Sequence, residues 1–443
     1  MPDKFREGVL MERFLINGQK PLSGEVYISG AKNAAVAVIP AVVMSSSTCT
    51  IENLPNIEDI RSLKDAMENI GAKCRYLTNH CLQIDSSEMK SYVATTESVR
   101  RIRGSYYLIG ALLGRFKKAE VALPGGCNFG NRPIDQHIKG FKALGATVSI
   151  ENGIVKAYAD ELKGANIYLD VVSVGATINI MLAAVFAKGI TVIENAAKEP
   201  HIVDCANFLN LMGSNIKGAG TDVIRITGVE KLSGAKYTII PDQIEAGTYM
   251  IAAAITGGDI TVRNIIPKHM DPLSAKLSEM NCEVIEGDDF IRVKSKAPLI
   301  STNIKTRAYP GFPTDLQPQM TALLSIAEGT GLITENIWEN RFQYVDELNR
   351  FGCNITVEGR VAIVEGNANL TGAEVSATDL RAGAALVISA LAAKGQTIIK
   401  NIKFIDRGYE AIEEKLTALG ADIKRVDKNG KISENVFLVK KVN

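Results

Sequence analysis

The sequence has almost no excess of charge of either sign. Its 443 residues include 50 lysines and arginines against 49 aspartates and glutamates, which gives a net charge of +1. This balance argues against a protein that holds nucleic acid on a broad basic surface, and against a highly charged disordered chain. Hydrophobic residues make up 46% of the chain, so it can build large folded cores.

Patterns typical of metal, disulfide and membrane proteins are also missing. The seven cysteines are odd in number and none forms a CxxC pair, and the four histidines are scattered. Both observations favour a reduced protein without a disulfide framework or a metal site. No uncharged apolar run reaches about 18 residues, and the first residues lack a signal-peptide core. We therefore expect a cytoplasmic protein that does not enter a membrane.

What the sequence does contain is an internal repeat of βαβα type. Six segments end in LGADI or a close variant, at intervals of 68 to 74 residues. The slots that follow the second helix of each unit are Gly71, Gly145, Gly213, Asn281, Gly352 and Gly420. Glycine and asparagine are the residues that tolerate the left-handed conformation at a helix end. In the last unit the second helix is expected to begin near Asp406 and to end at Gly420.

Six units predict two domains of three units each. We expect the first domain at residues 32–239 and the second at residues 1–31 together with 240–443. Several first helices, such as INIMLAAVFA, are apolar nearly all round, which is typical of helices buried in a core. The expected class is thus α/β, with sheets outside and helices inside. Ligand sites concentrate between domains, so an active site is expected in the interdomain cleft.

One unit departs from the repeat pattern in the loop PGGCNFGNRP, residues 124–133. Glycines flank Cys127 and allow close approach of the backbone to a ligand. Arg132 follows five residues later, and a nearby cation lowers the pKa of a thiol. We interpret Cys127 as a reactive thiol. The alternative is a turn that contains an incidental cysteine.

Two other segments place charged residues at helix starts. Lys32 and Asn33 lie in SGAKNAA, where a lysine at a helix N-terminus suits an anionic group. The alternative is a solvated lysine. Asp315 lies among prolines in YPGFPTDLQPQ and is a candidate general base or hydroxyl-orienting carboxylate. The alternative is a helix cap.

Four arginines recur at corresponding element starts, namely Arg103, Arg341, Arg381 and Arg407. A single arginine in such a place is usually a surface residue. Recurrence favours anion binding, because the guanidinium fork can make two hydrogen bonds to a carboxylate or phosphate. Together these candidates predict a transferase or lyase that acts on a small polyanionic substrate.

A set of motifs spans the chain: GEVYISGAKNAA, PGGCNFGNRPIDQH, VSVGATINIM, ENAAKEPHIVD, PDQIEAGTYM, FPTDLQPQ, ENRF, TDLRAG and FIDRGYE. Through them the sequence resembles the enolpyruvyl transferase family over nearly its whole length. The resemblance implies a two-domain inside-out α/β barrel. It implies that the 3-hydroxyl of UDP-N-acetylglucosamine adds to phosphoenolpyruvate and that phosphate then leaves, as the first committed step of peptidoglycan synthesis. It implies neither metal nor organic cofactor. We also expect no obligate protein partner, no nucleic-acid partner and no membrane partner.

The resemblance also gives roles to individual residues. The expected catalytic residues are Cys127, Asp315, Lys32 and Arg407. The expected substrate-binding residues are Lys32, Asn33, Arg103, Arg132, Pro133, Ile134, Asp135, Gln136, Ser173, Val174, Gly175, Asp315, Ile337, Arg341, Arg381 and Arg407. In this scheme Lys32 and Asn33 bind phosphoenolpyruvate, and residues 132–136 bind the uridine diphosphate. Asp315 lies beside the sugar hydroxyl, and Ile337 contacts the sugar through its backbone.

Three alternatives remain open at this point. The acceptor could instead be shikimate 3-phosphate, although the cysteine loop and the SVGAT segment speak against it. The chain could be a non-catalytic paralogue that binds a nucleotide sugar, although it retains Lys32, Cys127, Asp315 and Arg407. It could also process nucleic-acid ends on a related repeat fold, which the balanced charge does not support.

Overall fold

The computed structural model describes residues 12–123, 134–367 and 369–433. The helices are α1 (Lys32–Ala41), α2 (Glu58–Asn69), α3 (Glu97–Arg101), α4 (Tyr107–Phe116), α5 (Asp135–Ala143), α6 (Val174–Ala184), α7 (Pro200–Leu211), α8 (Gln243–Ile255), α9 (Asp271–Glu279), α10 (Gln317–Leu324), α11 (Val345–Asn349), α12 (Leu380–Ala392) and α13 (Ile412–Ala418). Within these described ranges, the helices are all too short or too polar to span a bilayer.

The strands are β1 (Arg13–Asn17), β2 (Ser23–Tyr27), β3 (Cys49–Glu52), β4 (Lys73–Thr78), β5 (Cys81–Asp85), β6 (Val93–Ala94), β7 (Lys118–Ala122), β8 (Thr147–Glu151), β9 (Ile154–Tyr158), β10 (Asn166–Tyr168), β11 (Ile190–Glu194), β12 (Asn215–Lys217), β13 (Val223–Thr227), β14 (Lys236–Thr238), β15 (Asp259–Arg263), β16 (Glu283–Glu286), β17 (Phe290–Lys294), β18 (Ile304–Lys305), β19 (Thr330–Thr334), β20 (Asn354–Glu358), β21 (Val361–Glu365), β22 (Glu374–Ser376), β23 (Gln396–Lys400) and β24 (Asp422–Val426).

The chain divides into two compact units, each with its own hydrophobic core. The inserted unit comprises the described parts of residues 30–240. The terminal unit comprises residues 12–29 and the described parts of 241–433. Strand β1 pairs antiparallel with both β23 and β24, so residues 13–17 are part of the sheet formed by these two strands, more than 370 positions later in the chain.

Each unit has three four-stranded sheets in its described residues, and all of them share one arrangement. The first strand of each sheet runs parallel to the second, and the remaining neighbours are antiparallel. The orders are β14-β3-β5-β4, β6-β7-β9-β8 and β10-β11-β13-β12 in the inserted unit. They are β2-β15-β17-β16, β18-β19-β21-β20 and β22-β23-β1-β24 in the terminal unit. The repeat seen in the sequence is therefore one structural unit used six times.

The first helix of each repeat is buried along most of its length. Continuous buried stretches cover residues 34–41, 108–114, 176–184, 244–255, 317–324 and 381–391. These helices pack on one another within their unit, for example α4 on α6 and α10 on α12. Their sequences are apolar on every face because every face meets protein. The prediction of an inside-out α/β fold, with helices inside the sheets, is confirmed.

The slots after the second helices behave as the sequence predicts. All six have positive φ, from 71° at Asn281 to 109° at Gly213. This is the left-handed conformation that ends a helix, and only glycine and asparagine adopt it without appreciable strain. The spacing of these six positions in the sequence therefore marks where the second helix of each repeat ends.

The prediction for the second helix of the last unit is wrong at its start. Helix α13 begins at Ile412 and not near Asp406. The Asp406 carboxylate does not cap a helix, because it accepts two hydrogen bonds from the buried Arg425, at 2.6 and 3.0 Å. Ala411 adopts a left-handed conformation with φ 45° directly before the helix. Residues 405–408 form a turn instead.

Candidate active site

Lys32 is the first residue of α1, and a close backbone approach fixes its place. A Cβ atom at Gly30 would lie 1.6 Å from the carbonyl oxygen of Asn53, so only glycine fits there. Lys32 Nζ pairs with Asp59 Oδ2 at 2.7 Å, and the two side chains are 13% and 5% exposed. The interpretation of Lys32 as a solvated lysine is therefore wrong. Asn33 follows it, half-buried, in the first turn.

The start of α5 is held by a network around Gln136. Its buried side chain donates to Asp135 Oδ2 at 2.7 Å and to Asp170 Oδ2 at 3.2 Å. Its Oε1 accepts the Asp170 backbone N–H at 3.0 Å. Ile134 occupies the N-cap position of the helix. These bonds tie the N-terminus of α5 to the segment that follows β10.

Cys127, the predicted reactive thiol, lies outside the described residues, and so do Arg132 and Pro133. The six described cysteines are all free thiols, and burial raises the pKa of each. Burial raises the pKa of Cys74 to about 12 and those of Cys282 and Cys353 to about 11. A thiol reacts as its thiolate, so these six are poor nucleophiles at neutral pH.

The N-terminus of α6 carries Ser173, Val174 and Gly175. Ser173 is the N-cap residue, and its Oγ accepts the backbone N–H of Ala176 at 3.3 Å. The eleven residues of α6 direct the positive end of their dipole to this point. Backbone N–H groups at a helix N-terminus suit phosphate, so the position fits the predicted role in binding a nucleotide.

A buried histidine joins α5 to α6. The Gly110 N–H donates to Asn179 Oδ1 at 2.8 Å, which makes Asn179 Nδ2 the donor to His137 Nδ1 at 3.0 Å. The neutral His137 ring must then carry its proton on Nε2, beside Gly175, where a Cβ would lie 3.0 Å away. Burial lowers the pKa of His137 to about 4, so the ring is neutral at pH 7.

Arg103 begins a short 3-10 helix (Arg103–Tyr106) ahead of α4 and is half-buried. Tyr106 at the other end of this turn packs on His137, with ring centroids 6.2 Å apart. Gly104 packs on α1, since a Cβ there would lie 2.7 Å from Val36 Cβ. The structure thus brings the turn of Arg103 together with the helices that carry Lys32 and Gln136.

In the terminal unit, Asp315 lies in a 3-10 turn (Thr314–Leu316) ahead of α10. Leu316 occupies the N-cap position, so the interpretation of Asp315 as a helix cap is wrong. Arg381 donates to Asp315 Oδ2 from Nε at 3.1 Å and from Nη2 at 2.9 Å. Arg341 Nη2 lies 3.8 Å from Asp315 Oδ1. Arg341 and Arg381 are 3% and 5% exposed, which excludes the surface-residue interpretation for both.

Arg381 lies where the N-termini of three core helices meet. Asp379 caps α12 and accepts the backbone N–H of Arg381 at 2.8 Å. Burial alone would lower the pKa of Arg381, but Asp315, Tyr409 and Asp242, the cap of α8, raise it above its usual range. The guanidinium is therefore a fixed positive charge beside Asp315. A carboxylate held this way can accept a hydrogen bond from a substrate hydroxyl.

Arg407 lies in the turn that precedes α13, and a buried cluster holds that turn. Arg425 is 3% exposed and binds Asp406, the residue before Arg407. It also binds Glu12 at 2.9 Å and Glu413 at 2.7 Å. Ile337 is 37% exposed and follows β19 in a loop whose backbone N–H groups donate to Glu335. A buried charged group thus holds each of these candidate segments. Arg425 binds Asp406 beside Arg407, Glu335 binds the loop of Ile337, and Arg381 binds Asp315.

Comparison with known proteins agrees with this arrangement. A sequence profile described as EPSP synthase (3-phosphoshikimate 1-carboxyvinyltransferase) matches residues 16–416. A UDP-N-acetylglucosamine 1-carboxyvinyltransferase of Clostridium botulinum is 60% identical over 94% of this chain and 100% of its own length. A protein named UDP-N-acetylglucosamine 1-carboxyvinyltransferase 3, from Caldanaerobacter subterraneus subsp. tengcongensis, is 58% identical over 94% of this chain and 100% of its own.

The chain belongs to the EPSP synthase-like enolpyruvyl transferase family. It is an enzyme and a transferase. Among solved structures, the enolpyruvyl transferase NikO from Streptomyces tendae superposes with a TM-score of 0.85 at 28% identity, over 94% of this chain and 99% of its own. An EPSP synthase from Acinetobacter baumannii superposes with a TM-score of 0.73 at 19% identity, over 94% of this chain and 100% of its own, which supports the fold alone.

Several residues that hold the candidate site residues in place were missed by sequence reasoning. They are Asp59, His137, Glu335, Asp406 and Arg425. One of them did carry a signal in the sequence, because Glu335 interrupts the repeat pattern between a strand and its following asparagine. The others become visible only once distant segments are brought together.

Proposed function

We propose that this enzyme transfers the enolpyruvyl group of phosphoenolpyruvate to the 3-hydroxyl of UDP-N-acetylglucosamine, with release of phosphate. The observation that carries the proposal is the identity of 56–60% to proteins of that name, over almost the whole chain and almost the whole of each relative. We infer further that the reaction serves peptidoglycan synthesis in the cytoplasm, and so bears on cell shape and division. We expect no cofactor and no obligate protein partner.

In this proposal the inserted unit binds phosphoenolpyruvate and the nucleotide part of the sugar substrate. Lys32 and Asn33 contact phosphoenolpyruvate, and Lys32 is well suited because its pairing with Asp59 holds the ammonium group in one place. Arg103 and the start of α6 contact the nucleotide, supported by the packing of their segments on His137. Residues 132–136, which lead into α5, contact the uridine diphosphate. The hydrogen bonds of Gln136 hold the start of this helix in place.

The terminal unit acts on the sugar hydroxyl and the leaving phosphate. Asp315 accepts the hydrogen bond of the 3-hydroxyl and takes its proton as the oxygen attacks C2 of phosphoenolpyruvate. The methylene carbon gains a proton, and a tetrahedral ketal that still bears phosphate is formed. A proton then leaves the new methyl group, the bond from C2 to the phosphate oxygen breaks, and the enol ether remains. Arg341, Arg381 and Arg407 stabilise the negative charge that develops on phosphate.

Cys127 is the proposed reactive thiol, which protonates the methylene carbon or assists product release. Support comes from the raised pKa of the other six cysteines and from the cation at Arg132 in the same loop. This thiol would also be the target of the epoxide antibiotic fosfomycin.

A competition experiment tests the choice of acceptor. The enzyme is given phosphoenolpyruvate with equal amounts of UDP-N-acetylglucosamine and shikimate 3-phosphate, and the products are identified by mass spectrometry. We expect the enolpyruvyl ether of the nucleotide sugar alone. If the enolpyruvyl group appears on shikimate 3-phosphate, the acceptor assignment is wrong while the family assignment stands. If neither product forms, a non-catalytic paralogue is the better explanation.

A further inference from the structure

Glu335 is a charged residue in a fully buried place, with no exposed surface. Its Oε1 accepts the Thr306 hydroxyl at 2.9 Å and the backbone N–H groups of Ile337 and Trp338 at 2.8 and 3.1 Å. Its Oε2 accepts the Thr314 hydroxyl at 2.9 Å. Burying a carboxylate is costly, and four hydrogen bonds are what such a group needs to remain there.

The internal repeat marks Glu335 as an exception. In four other repeats the last residue of the equivalent strand directly precedes the asparagine, as in Glu52–Asn53, Glu194–Asn195, Arg263–Asn264 and Lys400–Asn401. Those charged residues are exposed or half-exposed. In the fifth repeat β19 ends at Thr334, and Glu335 is inserted before Asn336 and buried. A departure from a rule that four other repeats obey points to function.

The insertion joins two segments that carry candidate site residues. Thr314 directly precedes Asp315 in their 3-10 turn, and the Thr314 carbonyl also accepts a hydrogen bond from Arg341 at 3.3 Å. On the other side, the bonds to the backbone of residues 337 and 338 shape the loop that presents Ile337. One carboxylate therefore sets the distance between the Asp315 turn and the Ile337 loop.

We propose that Glu335 is a positioning residue for Asp315 and for the backbone of Ile337. This role rests on the proposed function, in which Asp315 takes the proton of the sugar hydroxyl. It also refines the contact expected at Ile337. The N–H of Ile337 is already donated to Glu335, so its carbonyl oxygen is the backbone group that faces a ligand.

Replacement of Glu335 by alanine removes all four bonds at once. We expect Glu335→Ala to lower kcat about a hundredfold, because small displacements of a catalytic group have effects of that size. The Kd for UDP-N-acetylglucosamine should change much less. Glu335→Gln should retain kcat within about fivefold, since its amide oxygen can keep three donors and its amide NH₂ can donate to Thr314.

A second variant protects the test against loss of folding. Thr314→Val has nearly the same shape and removes only the link to the Asp315 turn. We expect it to lower kcat with little change in thermal stability. The control is Asp204→Asn in the inserted unit, where a buried carboxylate accepts the Tyr237 hydroxyl at 2.6 Å, and this variant should keep kcat.

The measurement is kcat and KM for each variant, together with calorimetric Kd values and Tm. A low kcat in Glu335→Ala and Thr314→Val, recovered in Glu335→Gln, supports the role. If the wild type is active but both variants keep wild-type kcat, or lose only Tm, the positioning role is overturned and the proposed function stands. A wild type that does not use the nucleotide sugar overturns both.

Discussion

The ion pair of Lys32 and Asp59 gives a prediction for single residues. Asp59→Ala leaves the largely buried ammonium group without the partner 2.7 Å away that orients it. We expect about a tenfold increase in KM for phosphoenolpyruvate, since truncating one member of a buried charge pair is costly. Both residues act through the same ammonium, so the double variant with Lys32→Ala should be no worse than Lys32→Ala alone.

Steady-state kinetics of the two single variants and the double variant check this coupling. Lys64→Ala serves as the control, because Lys64 lies on the same helix as Asp59 and pairs instead with Glu68 at 2.7 Å. Additive effects of Lys32→Ala and Asp59→Ala, or an equal effect of Lys64→Ala, would contradict the account.

The thiols give a second prediction at this scale. Because the pKa of each described cysteine is raised by burial, an epoxide or haloacetamide at neutral pH should modify Cys127 first. Peptide mapping by mass spectrometry checks the site, and Cys127→Ala is the control that should stay unlabelled. Labelling that falls mainly on Cys81 or Cys74 would refute the selectivity.

His137 makes a prediction about pH. Its pKa is lowered by burial from 6.5 to about 4, so the folded state prefers the neutral ring. The stability this confers is present above pH 6.5 and is lost as pH falls towards 4, by about 3 kcal/mol in all. His137→Gln should lose correspondingly less free energy of unfolding between pH 7 and pH 4.5.

Denaturant unfolding at the two pH values measures the effect. The exposed His80, replaced by glutamine, is the matched control and should follow the wild type. Equal pH dependence in His137→Gln and the wild type would show that the buried ring is not responsible.

At the scale of elements, Arg425 links the first strand, the last strand and the turn of Arg407. Three carboxylates, those of Glu12, Asp406 and Glu413, surround it, and Arg425→Met leaves them buried without their cation. We expect a loss of about 3–5 kcal/mol in the free energy of unfolding. Arg292→Met breaks an equally close pair with Asp259 at 2.6 Å, but that pair is partly exposed. Its loss should be much smaller, because solvent screens an exposed ion pair.

Chemical denaturation of both variants tests the contrast. Equal losses would mean that burial does not decide the strength of these pairs. A loss confined to Arg425→Met, accompanied by lower activity, would support the view that the cluster also holds Arg407 in place.

Elements were the part of the structure that the sequence predicted best. The six slots from Gly71 to Gly420 all have the left-handed conformation, because that requirement is local and limits the residue type. Burial of the first helices was also predictable, since a helix that is apolar on every face has to be covered. Lys32, Asp315 and Arg381 could be singled out as candidates because each stands at or just before a helix start in a distinctive motif.

The supporting residues could not be found in this way, because their partners are distant in the chain. Arg425 and Glu12 lie 413 positions apart, and nothing local to either residue requires the other. The start of α13 was misplaced for the same reason, since the Asp406 carboxylate is bound by Arg425 and cannot cap the helix. Glu335 could have been found from the sequence. In four other repeats the asparagine directly follows the strand, and Glu335 is an extra residue between the two.

At the scale of the whole molecule the net charge is only +1, but positively charged residues are placed at particular helix starts. Buried or half-buried cations occur at the helix starts that carry Lys32, Arg103, Arg341 and Arg381. Each of the last two has a carboxylate nearby, so positive charge is held in fixed positions without a basic surface. This is the arrangement that a small polyanionic substrate requires, and it agrees with the family to which the chain belongs.

The most direct test of this account is phosphate release from phosphoenolpyruvate, measured with UDP-N-acetylglucosamine, with shikimate 3-phosphate and with no acceptor. We predict release only with the nucleotide sugar, and we predict that Asp315→Ala loses it while still binding the nucleotide sugar. Release that does not depend on the nucleotide sugar, or that persists in Asp315→Ala, would contradict the proposed reaction and the role of Asp315 in it.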